Sequence, residues 1–205
     1  MNEFDIKAAS WDQNPLNRQR SEAVVNEIKN MIPLNPGMAA LEYGAGTGIA
    51  SLLLKDKLRE ITLMDSSSEM VRITEEKIAS VGVTNMKALN FDLEHRDYTN
   101  GKFDLIFTQM VLHHVADVDA IIEKFRQLLN PGGYLAIADL YEEDGSFHGE
   151  GFNGHKGFNI ENLSKTIKDH SFINIHHKTC FVIERKVSET EVKQFELFLV
   201  VANVC

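Results

Sequence analysis

The chain is short of cysteine and of positive charge, and each shortage removes a class of protein. Cys180 and Cys205 are the only two cysteines, without C-x-x-C spacing. That count leaves no disulfide framework or thiolate zinc site, and reads as one buried small hydrophobe and one terminal residue. Lys and Arg number 21 against 30 Asp and Glu, for a formal charge of -9. No basic surface can then neutralise a run of phosphates, so nucleic-acid substrates are disfavoured, whereas a small anion needs only one local cation or a helix N-terminus. No stretch approaches the roughly 18 consecutive apolar residues of a membrane helix. The start, Met1-Asn2-Glu3-Phe4-Asp5, is acidic and lacks a signal-like apolar core, so a cytoplasmic location without membrane contact is expected. At 205 residues, 43% hydrophobic and 25% charged, the composition is that of an ordinary globular chain, and one domain over 1–205 is expected.

What is present is an alternation of two periods. Strand-like apolar runs at Met38 to Tyr43, Ile61 to Met64, Met86 to Phe91, Phe103 to Thr108 and Tyr134 to Asp139 are separated by helix-length amphipathic segments, which implies βαβ units and a parallel sheet. Ser68 to Val81 reads as a helix capped by Ser67 or Ser68. In Asp117 to Leu129, the residues Val118, Ile121, Ile122, Phe125, Leu128 and Leu129 form one apolar stripe, which Asn130-Pro131-Gly132-Gly133 terminates. Asn14-Pro15 reads as a cap followed by proline at the first helical position of an extra N-terminal helix, with Val24, Val25 and Ile28 on its apolar face. Tyr141 to Asn159 holds five of the 13 glycines and no apolar period, so it is predicted to be a loop over the strand ends. A helix from Ile160 to His170 precedes two β-rich runs, Phe172 to Glu184 and Phe195 to Val204. The link between them is too short for a crossover helix, so the sheet is predicted to end in an antiparallel hairpin.

The chemistry concentrates at the tips of these strands. Leu41-Glu42-Tyr43-Gly44-Ala45-Gly46-Thr47-Gly48 follows a strand and opens a helix, and glycines there allow positive φ and a close backbone approach to a ligand at the helix start. A dinucleotide fingerprint would need Gly or Ala where Ile49 stands, which weighs against NAD. Asp65 ends the second strand 19 residues after Gly46, where a carboxylate can reach ribose hydroxyls; the alternative is that it caps the next helix. Asp92 ends the third strand, where it can accept from an adenine amine while the Leu93 N–H donates to the ring, unless it is only an exposed residue of an acidic loop.

The pattern acidic-x-Gly-x-Gly-x-Gly from Glu42 to Gly48 resembles motif I of the class I S-adenosylmethionine-dependent methyltransferases. Phe103 to His114 resembles their motif IV, and Leu128 to Leu135 their motif VI. With Asp65 and Asp92 these make ordered matches across Met38 to Asp139, most similar to the small-molecule, ubiquinone-methyltransferase-like branch. The resemblance implies an α/β fold: a three-layer, Rossmann-like, doubly wound sheet of seven strands, the last antiparallel. It implies S-adenosylmethionine as cofactor and methyl transfer to a small-molecule acceptor by in-line displacement. Glu42, Gly44, Ala45, Gly46 and Gly48 would line the methionine part, Asp65 and Ser66 the ribose, Asp92 and Leu93 the adenine, and Gln109 and Met110 the sulfonium side. Residues 1–34 would form a helical lid. Ala8 to Asp12 followed by Arg18 resembles lids of this family, with Trp11 over the sulfonium and Arg18 on the methionine carboxylate; Trp11 is otherwise a core anchor.

His113, His114 and His155 are the candidate general bases, each with a structural reading beside it. The glycine-rich segment 141–159 is expected to cover the substrate through Phe147, Phe152 and Phe158, or to be an inert excursion. His148, Glu150 and His155 lack the helical i, i+4 spacing of a metal site, and no metal is expected. Two other readings share these features: a non-catalytic S-adenosylmethionine binder, and an NAD(P)-dependent oxidoreductase. The oligomeric state is not encoded legibly.

Overall fold

The computed structural model describes residues 3–205; of the expected lid, Met1 and Asn2 lie outside the described residues. The apolar runs form seven strands: β1 (Ala39–Tyr43), β2 (Glu60–Asp65), β3 (Met86–Asn90), β4 (Phe103–Gln109), β5 (Leu129–Leu140), β6 (Phe172–Lys186) and β7 (Val192–Val204). They make one sheet in the order β3-β2-β1-β4-β5-β7-β6. The β1–β2, β1–β4, β2–β3 and β4–β5 pairs are parallel, and β7 runs antiparallel to both of its neighbours. This is the seven-stranded α/β sheet with a terminal hairpin that the sequence leads one to expect.

Both faces of the sheet are covered, which explains why its central strands read as unbroken apolar runs. Ala39, Leu41 and Tyr43 of β1 point to the side packed by α5 (Val118–Leu128) and α6 (Ile160–Asp169). Ala40, between them, points to the side packed by α2 (Pro15–Met31) and α3 (Ile49–Leu54). The same alternation separates Leu135 and Ile137 from Ala136 and Ala138 on β5. Small residues on the second face let the long N-terminal helix lie close to the sheet. The helices start where capping chemistry says they should. The Asn14 side chain accepts from Leu16 N–H at 3.1 Å with Pro15 at the first position, and Ser67 accepts from Met70 N–H at 3.2 Å to start α4 (Ser68–Val81). Ahead of α2 lie a short α1 (Glu3–Lys7) and a 3-10 turn (Ala8–Gln13).

Two features differ from expectation. β5 begins at Leu129 rather than Tyr134: the Asn130–Gly133 corner stays beside β4 with a register shift between Phe103 and Leu105, and Asn130 donates to Asp104 at 2.8 Å. The helix still ends at Leu128. The terminal hairpin is also longer than its apolar content, because β6 and β7 continue to pair from Val182–Glu196 out to Lys186–Val192, past the last β5–β7 pair at Leu140–Leu197. This overhang carries polar residues that periodicity alone reads as a connector. It forms a wall beside the strand tips, where Ile183, Phe195 and Leu197 pack on Leu140 and Phe147.

Segment 141–159 is a loop, fixed at both ends. Glu142 N–H donates to the Phe158 carbonyl and Phe158 N–H to the Leu140 carbonyl, both at 2.9 Å. Gly157 sits at φ +70, and a Cβ there would overlap the Tyr141 carbonyl. Gly149, at φ +84, faces open space. Gly149→Ala should therefore cost only the ~1–2 kcal/mol of a left-handed backbone, whereas Gly157→Ala should cost at least about 2 kcal/mol more because backbone must move. Urea midpoints measured on both variants check this, and equal losses would show that the loop base is not rigid.

Candidate active site

The first strand turn is built on the second strand's tip. Gly44 and Ala45 donate their N–H groups to the Met64 carbonyl at 2.8 and 3.0 Å, and Gly46 N–H donates to Asp65 Oδ2 at 2.7 Å. Asp65 Oδ1 accepts from Ser67 N–H at 2.8 Å, so this carboxylate ties the glycine turn to the start of α4. Burial lifts the Asp65 carboxyl above its usual range, and the Ser67 and Gly46 N–H groups act against that. Ser67, not Asp65, caps α4; the Asp65 side chain braces the glycine turn and still lines a cavity. Gly44 leaves no room for a side chain, since a Cβ would overlap Val111, while Gly46 at φ +54 turns its backbone to open space near Trp11.

That cavity, about 780 Å³, lies at the C-terminal tips of β1 to β4. It gathers Gly44 and Gly46, Asp65 and Ser66, Asp92 and Leu93, and Gln109 and Met110 from four strand ends, with Trp11 and Phe4 from the N-terminal segment. Met110 takes φ +57, so the chain leaves β4 sharply and points the next residues back over the sheet edge. Asp92 is engaged locally: Oδ1 accepts from the N–H groups of Glu94 and His95 at 3.1 and 3.3 Å, and Oδ2 pairs with His95 Nδ1 at 2.8 Å. A narrow recess of about 40 Å³ continues from the cavity past Gly44, Ala45 and Gly46 to Glu42 and Arg20.

Arg18 does not reach this site. It faces solvent, pairing with Glu22 one turn along at 2.8 Å. Arg20 stands where Arg18 was expected. It lies on the buried face of α2 with Asn17, Ser21, Val24 and Ile28, and it lines both recess and cavity. Stepping the helical period backwards from Val24 and Ile28 would have selected it. Burial lowers the Arg20 guanidinium to about 10, opposed by the Asp139 charge, so it stays a cation at neutral pH. Its Nε is buried without a hydrogen-bond partner among the described residues, as is Gln109 Oε1; the Gln109 amide nitrogen donates to Ser21 Oγ at 2.9 Å. Gly48 lies apart, at the start of α3, where a Cβ would meet Leu63 Cδ2 at 2.8 Å. Its role is packing of helix on sheet.

The other end of the cavity is aromatic and basic. His113 and His114 lie on a 3-10 turn (Leu112–His114) after β4, and His148 comes from the 141–159 loop. His113 is 1% exposed, with Nδ1 at 2.6 Å from Oδ1 of Asp139, a fully buried residue at the end of β5 that also accepts from Leu140 N–H. His148 stacks on Phe152 with centroids 3.8 Å apart, and burial, followed by the charges of His113 and His114, lowers its imidazolium to about 4. His155 sits outside this group: its Nε2 lies 3.0 Å from the Val115 carbonyl and its N–H donates to the His113 carbonyl at 2.8 Å. It is a brace for the loop, so the third histidine of the site is His148 and not His155. Asp139 was missed, and His148 was weighed only with Glu150 and His155, because each looks ordinary alone; only the turn after β4 and the loop fold bring them together.

Comparison with known proteins agrees with this geometry. A family model described as a methyltransferase domain matches residues 16–181. The chain belongs to the class I S-adenosylmethionine-dependent methyltransferase family. It is 29% identical over 154 residues to an uncharacterised methyltransferase of Schizosaccharomyces pombe, covering 67% of this chain and 54% of that protein. The chain thus spans about half the length of that curated relative. Among solved structures, the N-methyltransferase NodS of Bradyrhizobium japonicum, in complex with S-adenosyl-L-homocysteine, superposes with a TM-score of 0.69 at 17% identity, covering 94% of this chain and 89% of NodS. The [4+2]-cyclase SpnF superposes with a TM-score of 0.67 at 14% identity, covering 88% of this chain and 79% of SpnF. At such identities the likeness establishes the fold, and the reaction must be argued from the site.

Glu42 supplies a test of the recess. It is 4% exposed, and its Oε2 accepts from the Ser51 hydroxyl at 2.5 Å and from Ser51 N–H at 3.2 Å. Burial raises its carboxyl from 4.5 to about 8, with the Ser51 bonds opposing. A folded value above the unfolded one means the associated stability is complete below pH 4.5 and falls as pH rises to about 8, by up to ~1.4 kcal/mol per pH unit. Glu42→Gln keeps an acceptor for Ser51 and removes the titration. In urea unfolding, the variant's stability relative to the parent should rise between pH 5 and pH 8 and then level; parallel profiles would refute the neutral recess.

Proposed function

We propose that this chain transfers the S-methyl group of S-adenosylmethionine to a small-molecule acceptor held at the histidine end of the cavity. The observation that carries the reading is one cavity shared by the tips of four consecutive sheet strands, with a buried guanidinium at its inner end whose Nε lacks a partner among the described residues, and histidines at the other. The residues suit this cofactor. Arg20 Nε and Gln109 Oε1 lack partners, and a carboxylate beside an ammonium group satisfies both. Gly44 and Gly46 let the methionine part pass close to backbone. Asp65 and Ser66 take the ribose hydroxyls; Asp92 and the Leu93 N–H take the adenine edge, with Phe91 beside the ring.

When bound, the cofactor supplies an electrophilic methyl whose leaving group departs as a neutral thioether, so little covalent help is needed. The protein's work is alignment and exclusion of water. Trp11 and Met110 flank the sulfonium position between the carboxylate end and His113, the aromatic face favouring positive charge. Phe147 and Phe152 of the 141–159 loop and Ile183 of the hairpin overhang close the acceptor end. Walls made by two separate segments favour a compact acceptor over a macromolecule, as does the net charge of -9.

Isothermal titration should give one site each for S-adenosylmethionine and S-adenosyl-L-homocysteine. Arg20→Met should weaken both at least tenfold, or about 1.4 kcal/mol, while Arg18→Ala leaves them unchanged. Release of S-adenosyl-L-homocysteine over a panel of small acceptors then reports turnover. Absence of heat with either compound, or equal responses of the two arginine variants, would remove the reading.

A further inference from the structure

Three imidazoles from two separate parts of the chain meet at the acceptor end. One candidate ligand atom from each of His113, His114 and His148 lies within 4.8 Å of the other two. Ring centroids are 4.3 Å apart for His113 and His114, 4.8 Å for His113 and His148, and 5.7 Å for His114 and His148. Nothing in the methyl-transfer reading requires a third histidine, nor that one come from a loop.

Two further observations give the cluster the character of a metal site. Asp139 receives three hydrogen bonds, from the N–H groups of His113 and Leu140 and from His113 Nδ1, and is buried behind the imidazole. A carboxylate only accepts, so it fixes the tautomer that presents the His113 Nε2 lone pair away from Asp139, as the outer carboxylate of a metal-bound histidine does. His148 Nδ1 is buried without a hydrogen-bond partner, a vacancy that coordination would fill.

We propose that His113, His114 and His148 form a three-histidine site for a divalent transition metal of the zinc class, with its remaining coordination position open to the cavity. Neutral nitrogen ligands suit zinc, and three protein ligands with one open position are the pattern of a catalytic rather than a structural zinc. Contracting the cluster onto one ion requires only side-chain and loop adjustment, since His148 lies between Gly145 and Gly149 on a surface loop. The metal site stands independently of the methyl-transfer reading; the use of its open position rests on that reading. There, a hydroxyl or thiol acceptor coordinates and releases its proton to solvent. Its lone pair forms the bond to the methyl carbon as the methyl–sulfur bond breaks, leaving that electron pair on sulfur.

The test uses the full chain, stripped with a chelator, dialysed and titrated with zinc sulfate and, separately, with cobalt chloride. One zinc per chain is expected, with the visible bands of low-coordinate cobalt. His148→Ala should abolish the cobalt bands and weaken zinc more than tenfold, and Asp139→Asn should weaken zinc 10- to 100-fold; His176→Ala, at an exposed position of β6, should leave both unchanged. Each sample is also titrated with S-adenosyl-L-homocysteine. Zinc binding that is sub-stoichiometric, or undiminished in His148→Ala, overturns the metal site while homocysteine-product binding persists. Loss of the latter with zinc retained overturns only the methyl-transfer reading.

Discussion

The site depends on one hydrogen bond, from Gly46 N–H to Asp65 Oδ2 at 2.7 Å. It couples the tip of β1 to the tip of β2, and through Asp65 Oδ1 it couples both to the first turn of α4. A carboxylate held this way costs desolvation, which shows in its raised protonation range, and backbone N–H groups offset that cost. The arrangement fixes the floor of the cavity before any ligand arrives. It also explains why the acidic residue must stand one strand away from the glycines: a carboxylate on the same turn could not bridge two strands.

The N-terminal segment is attached to the same turn by polar contacts rather than by a large apolar interface. The Ser67 hydroxyl donates to Asp5 Oδ1 at 2.6 Å, and the Thr47 hydroxyl donates to Asp12 Oδ1 at 2.6 Å. Lys77 pairs with Asp12 and donates to the Thr47 carbonyl at 2.9 Å. Thr74 closes the set by donating to the Gly46 carbonyl at 2.9 Å. Such exposed and half-buried polar pairs are individually weak. They end on the glycine turn and on Ser67, next to the residues assigned to the ribose.

Much of the fold was legible because the sheet is covered on both sides. Runs such as Met38–Tyr43 and Phe103–Thr108 had to be buried strands, and the helices between them had to be crossovers. The hairpin overhang was less visible, because past Leu197 its residues pack on Phe147 or on each other and carry no continuous apolar period. Local reading located the strand-tip residues, since their roles follow from position along one strand. It misjudged the arginine, where two residues, about 200° of helical phase, separate Arg18 in solvent from Arg20 in the recess. It also selected His155 over His148, a choice decided by how a glycine-rich loop folds back, which no short-range pattern reports.

The cavity is polarised in a way the net charge of -9 conceals. Its inner end holds the buried Arg20 cation beside Glu42, whose carboxyl burial keeps neutral up to about pH 8. A neutral Glu42 leaves Arg20 without a nearby counter-charge in the recess, and Asp139 acts on it only as an opposing influence on its protonation. On the proposed reading, an anion entering the recess gains a desolvated partner that water no longer satisfies. The same neutrality of Glu42 avoids repelling that anion. At the far end, the Asp139 carboxylate is fully buried behind the His113 imidazole. One buried acid that stays protonated and one that stays behind a histidine thus let an acidic protein present a cationic inner wall and a nitrogen-lined outer one within a single cavity.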